Sequence, residues 1–282
     1  MKEKIAVVTD STCDLSSEIL EEQEIEFLPL KIIYENNQYK DRVDIKPQTV
    51  YDNFEDEIPS TSMPTPSEVR EKYLELHEKG YTHIISIHIS SGLSGTYNIC
   101  QMVADQLDEI TVQVIDSKML SMGLGRLVLY TKELIDSNQH SFNEIVDKVE
   151  IKKEEIDLYF IVDTLKYLKK GGRIGKVRGT IAELLNIKPI ISINEEGEYF
   201  TFDKVRSRKK SIKKLINLAK EKVNEGLCYV DVMHADAKEE AVDILDKLKD
   251  LPNVKDTVLG EISPAMVVHS GPGLIGVCIT KI

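Results

Sequence analysis

Five positions, Ile5 to Thr9, open the chain as a short apolar run and predict a strand. A polar turn, Asp10-Ser11-Thr12-Cys13-Asp14, follows, and then a helix near Ser16 to Glu22. The same order returns more strongly between Thr82 and Ala104. Ile85, Ile87 and Ile89 alternate as in a strand, and Tyr97, Ile99, Met102, Val103 and Ala104 repeat at helical spacing. Between them lies a turn in which Ser90, Ser91, Gly92, Ser94 and Gly95 are all hydroxyl or glycine. A strand, a hydroxyl-rich turn and a helix start together make an anion-binding device, because unpaired N–H groups and the positive end of the helix dipole face the turn. A capped βα turn with no ligand has the same composition, so both readings stand on this stretch alone.

Further strands are predicted at Phe27 to Ile33, Gln38 to Lys40 and Val112 to Asp116, with Asn36-Asn37 as a hairpin turn. Helices are predicted at Pro47 to Phe54, Ser121 to Asp136 and from Ser141 to about Lys153. Thr65 and Glu68 form a capping box with Pro66 at the first helical position, and Ser141 and Glu144 form another. Thr61 and Ser62 precede the first box as hydroxyls in a loop stiffened by Pro59 and Pro64. Strands alternating with helices imply an α/β unit with a mainly parallel sheet. Its ligands would bind beyond the carboxyl ends of the strands, where the Asp10 and Ser90 turns both fall.

A second, smaller α/β sandwich is predicted from Asp157 onward. Its strands are Asp157 to Val162, Lys188 to Ile193, Tyr199 to Val205, Leu227 to His234, Val258 to Ile262 and Leu274 to Thr280. Helices are expected near Ser207 to Asn224 and Ala237 to Leu248. At 282 residues the chain divides into domains 1–153 and 154–282. His269, between the apolar Val267-Val268 and Gly271-Pro272-Gly273, is expected near a strand edge.

Charge sharpens the division. Residues 1–152 hold 14 Lys+Arg against 28 Asp+Glu, a net −14, whereas 153–282 hold 22 against 20, a net +2. The second half is thus expected to meet a different partner surface. The overall charge of −12 argues against nucleic-acid binding, since the basic stretch Lys204 to Lys214 lacks interleaved aromatics. No run is long enough for a membrane span, and the Met1-Lys2-Glu3-Lys4 start does not resemble a signal peptide. Cys13, Cys100, Cys228 and Cys278 are scattered without metal spacing, which implies free thiols in a cytoplasmic protein and no metal site.

Two catalytic devices fail on their residues. A phosphate-cradling P-loop needs Gly-Lys-Ser/Thr, and the Ser90 turn has no lysine. A nucleophile elbow needs a second glycine where Gly92-Leu93-Ser94-Gly95-Thr96 has threonine. A stand-alone phosphoryl-transfer enzyme on a related α/β fold is the alternative function. Asp10 and Asp14 are its nearest metal-binding candidates, and they read better as turn and cap residues.

Five segments, in order, carry a resemblance that spans the chain. They are Asp10 to Leu15, Thr61-Ser62-Met63-Pro64-Thr65, Ser90 to Tyr97, Lys170-Gly171-Gly172-Arg173-Ile174 and His269-Ser270-Gly271-Pro272-Gly273. In these the chain resembles the DegV family of bacterial fatty-acid-binding proteins. Met63 departs from the glutamine usual there, and Thr65 from a serine. The resemblance implies two α/β domains holding one long-chain fatty acid, such as palmitate, stearate or oleate, and no other cofactor. It implies a lipid-binding site of Thr61, Ser62, Ser94, Gly95 and His269, with the carboxylate on Thr61, Ser94 and His269. It further implies a non-enzymatic carrier that presents its acyl chain to a separate ATP-dependent fatty acid kinase, which makes an acyl phosphate for phospholipid synthesis. Arg173 and Arg206 are the expected docking residues for that partner.

Overall fold

A computed structural model describes residues 3–177, 179 and 187–282, whose strands form three sheets. The first is four-stranded and wholly parallel, in the order β2 (Ile25–Leu28), β1 (Ile5–Asp10), β6 (His83–His88), β7 (Thr111–Asp116). Its central strands read as nearly continuous apolar runs because both faces are covered. Ala6, Val8 and Ile84 pack under α3 (Pro66–Glu78) and α4 (Thr96–Ala104), whereas Val7, Ile85 and Ile87 join a core that includes Leu124 and Leu127 of α5 (Ser121–Asp136). The box at Thr65 and Glu68 caps α3, and that at Ser141 and Glu144 caps α6 (Phe142–Lys152), as their spacing predicts.

The stretch Phe27 to Ile33 is two strands rather than one. Pro29 has no N–H for a ladder, so β2 ends at Leu28 and the chain leaves the first sheet. It resumes as β3 (Lys31–Ile33), the centre of a small antiparallel sheet flanked by β4 (Gln38–Lys40) and β5 (Ser60–Ser62). The segment expected to be a loop is therefore β5, in which Thr61 stands opposite Ile32.

The remaining sheet has six strands, in the order β10 (Tyr199–Arg206), β9 (Ile187–Ile193), β8 (Ile156–Ile161), β13 (Ile275–Lys281), β11 (Cys228–His234), β12 (Val254–Glu261). Its pairings are antiparallel except β11 with β12. Strand alternation sorts its residues by face. Val230, Val232, Ile275 and Val277 pack under α8 (Arg208–Val223) and α9 (Lys238–Asp246). Leu158, Phe160, Met233 and Cys278 point the other way, into the core shared with the first sheet.

The two sheets are joined through buried polar groups. Arg126 of α5 donates from Nε and Nη2 to the two carboxylate oxygens of Asp231 on β11, at 2.7 and 2.6 Å, and Asp231 is wholly buried. The face of the wide sheet that meets this junction is also covered by α7 (Lys166–Lys170) and α10 (Pro264–Ser270). Among the described residues no helix is long and apolar enough to cross a membrane.

Candidate ligand-binding site

The two turns predicted from the sequence lie side by side at the carboxyl edge of the parallel sheet, and a buried acid ties them together. Asp10 accepts from Thr12 N at 3.0 Å and Thr12 Oγ1 at 2.5 Å with one oxygen, and from Ile89 N at 2.8 Å with the other. The His88 ring reaches that second oxygen at 3.2 Å and continues through Ser86 to Tyr73, all fully buried. Burial opposes a charge on His88, but its interactions with Cys100 and Asp10 more than offset this and raise the imidazole to about 10. Asp14, in the left-handed region at φ 55°, accepts from Ser121 Oγ at 2.6 Å and from Ser263 N at 2.8 Å. Asp41 accepts from Ala265 N at 3.0 Å. Burial pushes the Asp14 carboxyl up to about 7 and that of Asp41 to about 6. Asp10 and Asp14 thus act as turn residues, and Asp14 and Asp41 hold the start of α10.

His269 is not at a strand edge: it sits in the last turn of α10. The run Ala265-Met-Val-Val has no polar alternation, so its periodicity could not separate strand from helix. Pro264 at the first helical position and Gly271, at φ +69°, bound the helix in the structure. The placement brings His269 Nε2 within 2.7 Å of Thr61 Oγ1. Behind the ring stands Gly171, where an added Cβ would lie 2.1 Å from Nδ1, so a glycine is required there. Burial, together with the nearby charge of Arg173, pushes the imidazole down to about 4, and the ring is neutral at pH 7.

Thr61, Ser94, His269 and Arg173 line one cavity. Its remaining wall is largely apolar, drawn from Leu30, Leu93 and Leu120 on one side and from Leu158, Phe160 and Tyr199 of the wide sheet on the other. Beside the phenol of Tyr199, three further serine and threonine hydroxyls face it, and each of the three gives its proton to the protein: Thr12 to Asp10, Ser121 to Asp14 and Ser270 to Gly271 O. The Ser94 hydroxyl pairs with Thr96 Oγ1 at 2.8 Å and the Thr61 hydroxyl with His269, arrangements in which either partner can supply the proton. Among the serine and threonine hydroxyls of the cavity, Thr61 and Ser94 are therefore the ones free to turn toward an anion.

The other expected site residues are placed differently. Ser62 follows Thr61 along β5, so alternation turns it to the opposite face, and it does not line the cavity. Gly95 caps α4 at φ −76° without a side-chain bond and packs beside Met63, whose Sδ would lie 2.8 Å from an added Cβ. Arg173 is half-buried in the cavity wall, where its Nε donates to Leu93 O at 3.1 Å and Nη1 to Gly171 O at 2.7 Å. Arg206 is exposed at the end of β10, the outer strand of the wide sheet. The apolar wall was missed from sequence, because its residues are ordinary apolar positions of strands, turns and helices far apart in the chain until the fold brings them together.

A largely apolar internal cavity with a cluster of hydroxyls and imidazole at one place defines a binding protein for a small amphipathic ligand. The chain belongs to the DegV family: residues 4–281 match the family model described as "Uncharacterised protein, DegV family". It is 46% identical over 280 residues to a DegV domain-containing protein of Clostridium acetobutylicum, covering 99% of each chain. Its structure is similar to that of Bacillus subtilis DegV, described as a fatty acid binding protein, with a TM-score of 0.92 at 32% identity and full coverage of both chains. It is also similar to a stearic acid-binding protein from Eubacterium ventriosum, with a TM-score of 0.89 at 26% identity, covering 99% of this chain and 98% of that one.

Proposed function

We propose that this protein binds one long-chain fatty acid, with the carboxylate at Thr61, Ser94 and His269 and the tail in the apolar cavity. The observation that carries the reading is the pairing of Thr61 with a neutral His269 in the wall of a cavity that is otherwise largely apolar. A carboxylate removed from water needs hydrogen bonds, or its burial is prohibitive. Two hydroxyls, the imidazole and the N–H groups at the start of α4 can supply them. The neutral ring carries one proton; held on Nε2, it goes either to the carboxylate itself or to Thr61, whose own hydroxyl proton is then free for the ligand.

The tail contributes affinity at about 0.8 kcal/mol per buried methylene, against association costs of about 4 kcal/mol or more. A dozen methylenes thus leave a reversible grip, which suits a carrier. In the same reading the protein is a cytoplasmic carrier that presents its acyl chain to a separate ATP-dependent fatty acid kinase. With the division at 153/154, Thr61 and Ser94 come from the first domain and His269 from the second, so the carboxylate bridges both. Arg206 is exposed and suits partner docking. That Arg173 lines the cavity supports a role for it beside the ligand head, where a partner would act.

Denaturing extraction with lipid analysis, followed by calorimetry on the delipidated protein, tests the proposal. The expected result is a co-purified fatty acid and saturable binding of one per chain. Absence of any acyl species together with no saturable binding would overturn it.

A further inference from the structure

A glycine in the middle of a sheet is less stable there than alanine, so its presence calls for a physical reason. Gly276 lies on β13, which is paired on both sides in the six-stranded sheet. The usual reasons fail. Its φ is outside the left-handed region, so the backbone does not demand glycine. An added Cβ would find Phe160 Cβ at 3.6 Å, Tyr159 O at 3.9 Å and Leu274 Cδ2 at 4.0 Å, all ordinary contacts, so no neighbour excludes a side chain. What the position faces is the cavity. Gly276 stands opposite Met233 on one neighbour and Phe160 on the other, and all three line the cavity wall.

The register gives this row a place along the cavity. Two residues further along β13, Cys278 stands between Asp231 and Leu158 on the same face, and Cys278 and Leu158 also line the cavity. That second row lies about 6–7 Å deeper along the strand. It is closed off where Asp231 meets Arg126 of α5. His269 lies on the helix that leads into β13 and packs against Gly171, in the segment that follows β8, so it stands toward the Ile275–Ile161 end of the paired strands, nearer the Gly276 row. A chain anchored at His269 and running along this face meets the Gly276 row before the Cys278 row.

We propose that Gly276 is a specificity-determining residue: its missing side chain forms the gap between Met233 and Phe160 through which an acyl tail reaches the floor at Leu158 and Cys278. The inference rests on the fatty-acid reading above and names the residue that sets how long a tail the cavity takes. A valine at this place narrows the gap, and long tails lose the room beyond it while short ones do not.

The test compares the wild type with Gly276→Ala and Gly276→Val, delipidated, by calorimetry against saturated fatty acids of ten to eighteen carbons. Each methylene excluded lowers affinity about fourfold, so a tail that loses the room of three falls about sixtyfold. The expected result is that Gly276→Val loses the longest chains in this way and keeps the shortest, with Gly276→Ala intermediate. Thermal melts of the free variants should match or exceed the wild type, since a Cβ relieves the glycine cost. If the valine variant does not fold, the alanine variant still carries the test. An unchanged chain-length profile, or an equal loss at every length in a folded variant, would overturn the inference. Absence of binding in the wild type would instead remove the functional proposal on which it rests.

Discussion

The substitution pair Ser94→Ala and Ser91→Ala separates the proposed carboxylate site from the turn that carries it. Both serines belong to one six-residue turn, and their side chains diverge. Ser91 Oγ donates to Asp116 at 2.5 Å and receives Lys118 Nζ at 3.4 Å, away from the cavity. Ser94 Oγ faces the cavity, with Thr96 Oγ1 at 2.8 Å as its partner. Removing a hydrogen-bond donor to a charged group costs about 1.5–3 kcal/mol, which weakens fatty-acid binding about 10- to 150-fold for Ser94→Ala. The free protein loses the pairing with Thr96 Oγ1 and the weaker bond accepted from Thr96 N at 3.3 Å, about 0.5–1.5 kcal/mol of stability for each. Ser91→Ala costs a similar amount of stability, because Asp116 keeps its bonds from Ser91 N and Lys118 N, and its affinity stays within about twofold of wild type. Titration calorimetry with one saturated fatty acid, beside thermal melts of each free variant, reads both quantities. Equal affinity losses from the two substitutions, or none from Ser94→Ala, would refute the placement of the carboxylate at Ser94.

Three further outcomes are expected. His269, lowered from 6.5 to about 4 by burial and by Arg173, contributes stability that is present above pH 6.5 and lost as pH falls toward 4, about 3 kcal/mol in all; the stability difference between wild type and His269→Asn should shrink over that window, and ring NMR shifts that titrate near 6.5 would contradict it. Asp231→Ala leaves Arg126 buried without its carboxylate and should cost about 3–5 kcal/mol in urea unfolding, whereas a loss below about 1 kcal/mol would show the pair to be unimportant in joining the sheets. If the proposed kinase is the partner, Arg206→Glu should slow acyl phosphate formation in a salt-sensitive way and leave calorimetric fatty-acid affinity intact; a normal rate at low salt would move the docking face elsewhere.

Much of the local framework was legible in the residues. The β-branched runs at Ile5 and Ile85, the Thr65–Glu68 and Ser141–Glu144 boxes and the two strand-to-helix turns rest on periods and contacts a few residues apart, so the sequence states them directly. Ser94 and Thr61 were singled out by the resemblance to the DegV family, since hydroxyls beside glycine and proline suit an unliganded turn or loop equally well. Tertiary structure alone decided what depends on partners far along the chain. Pro29 splits a predicted strand because the two pieces find different sheets, and Ser60–Ser62 becomes a strand only because β3 supplies its ladder. His269 reaches Thr61 through a helix whose apolar run fits either period, and Arg173 turns inward because Leu93 and Gly171 offer it carbonyls. The apolar cavity has no sequence signature at all. Phe160, Met233 and Gly276 lie on three separate strands, and antiparallel register, which shifts every side chain to the other face on a one-residue slip, is what sets them in one row.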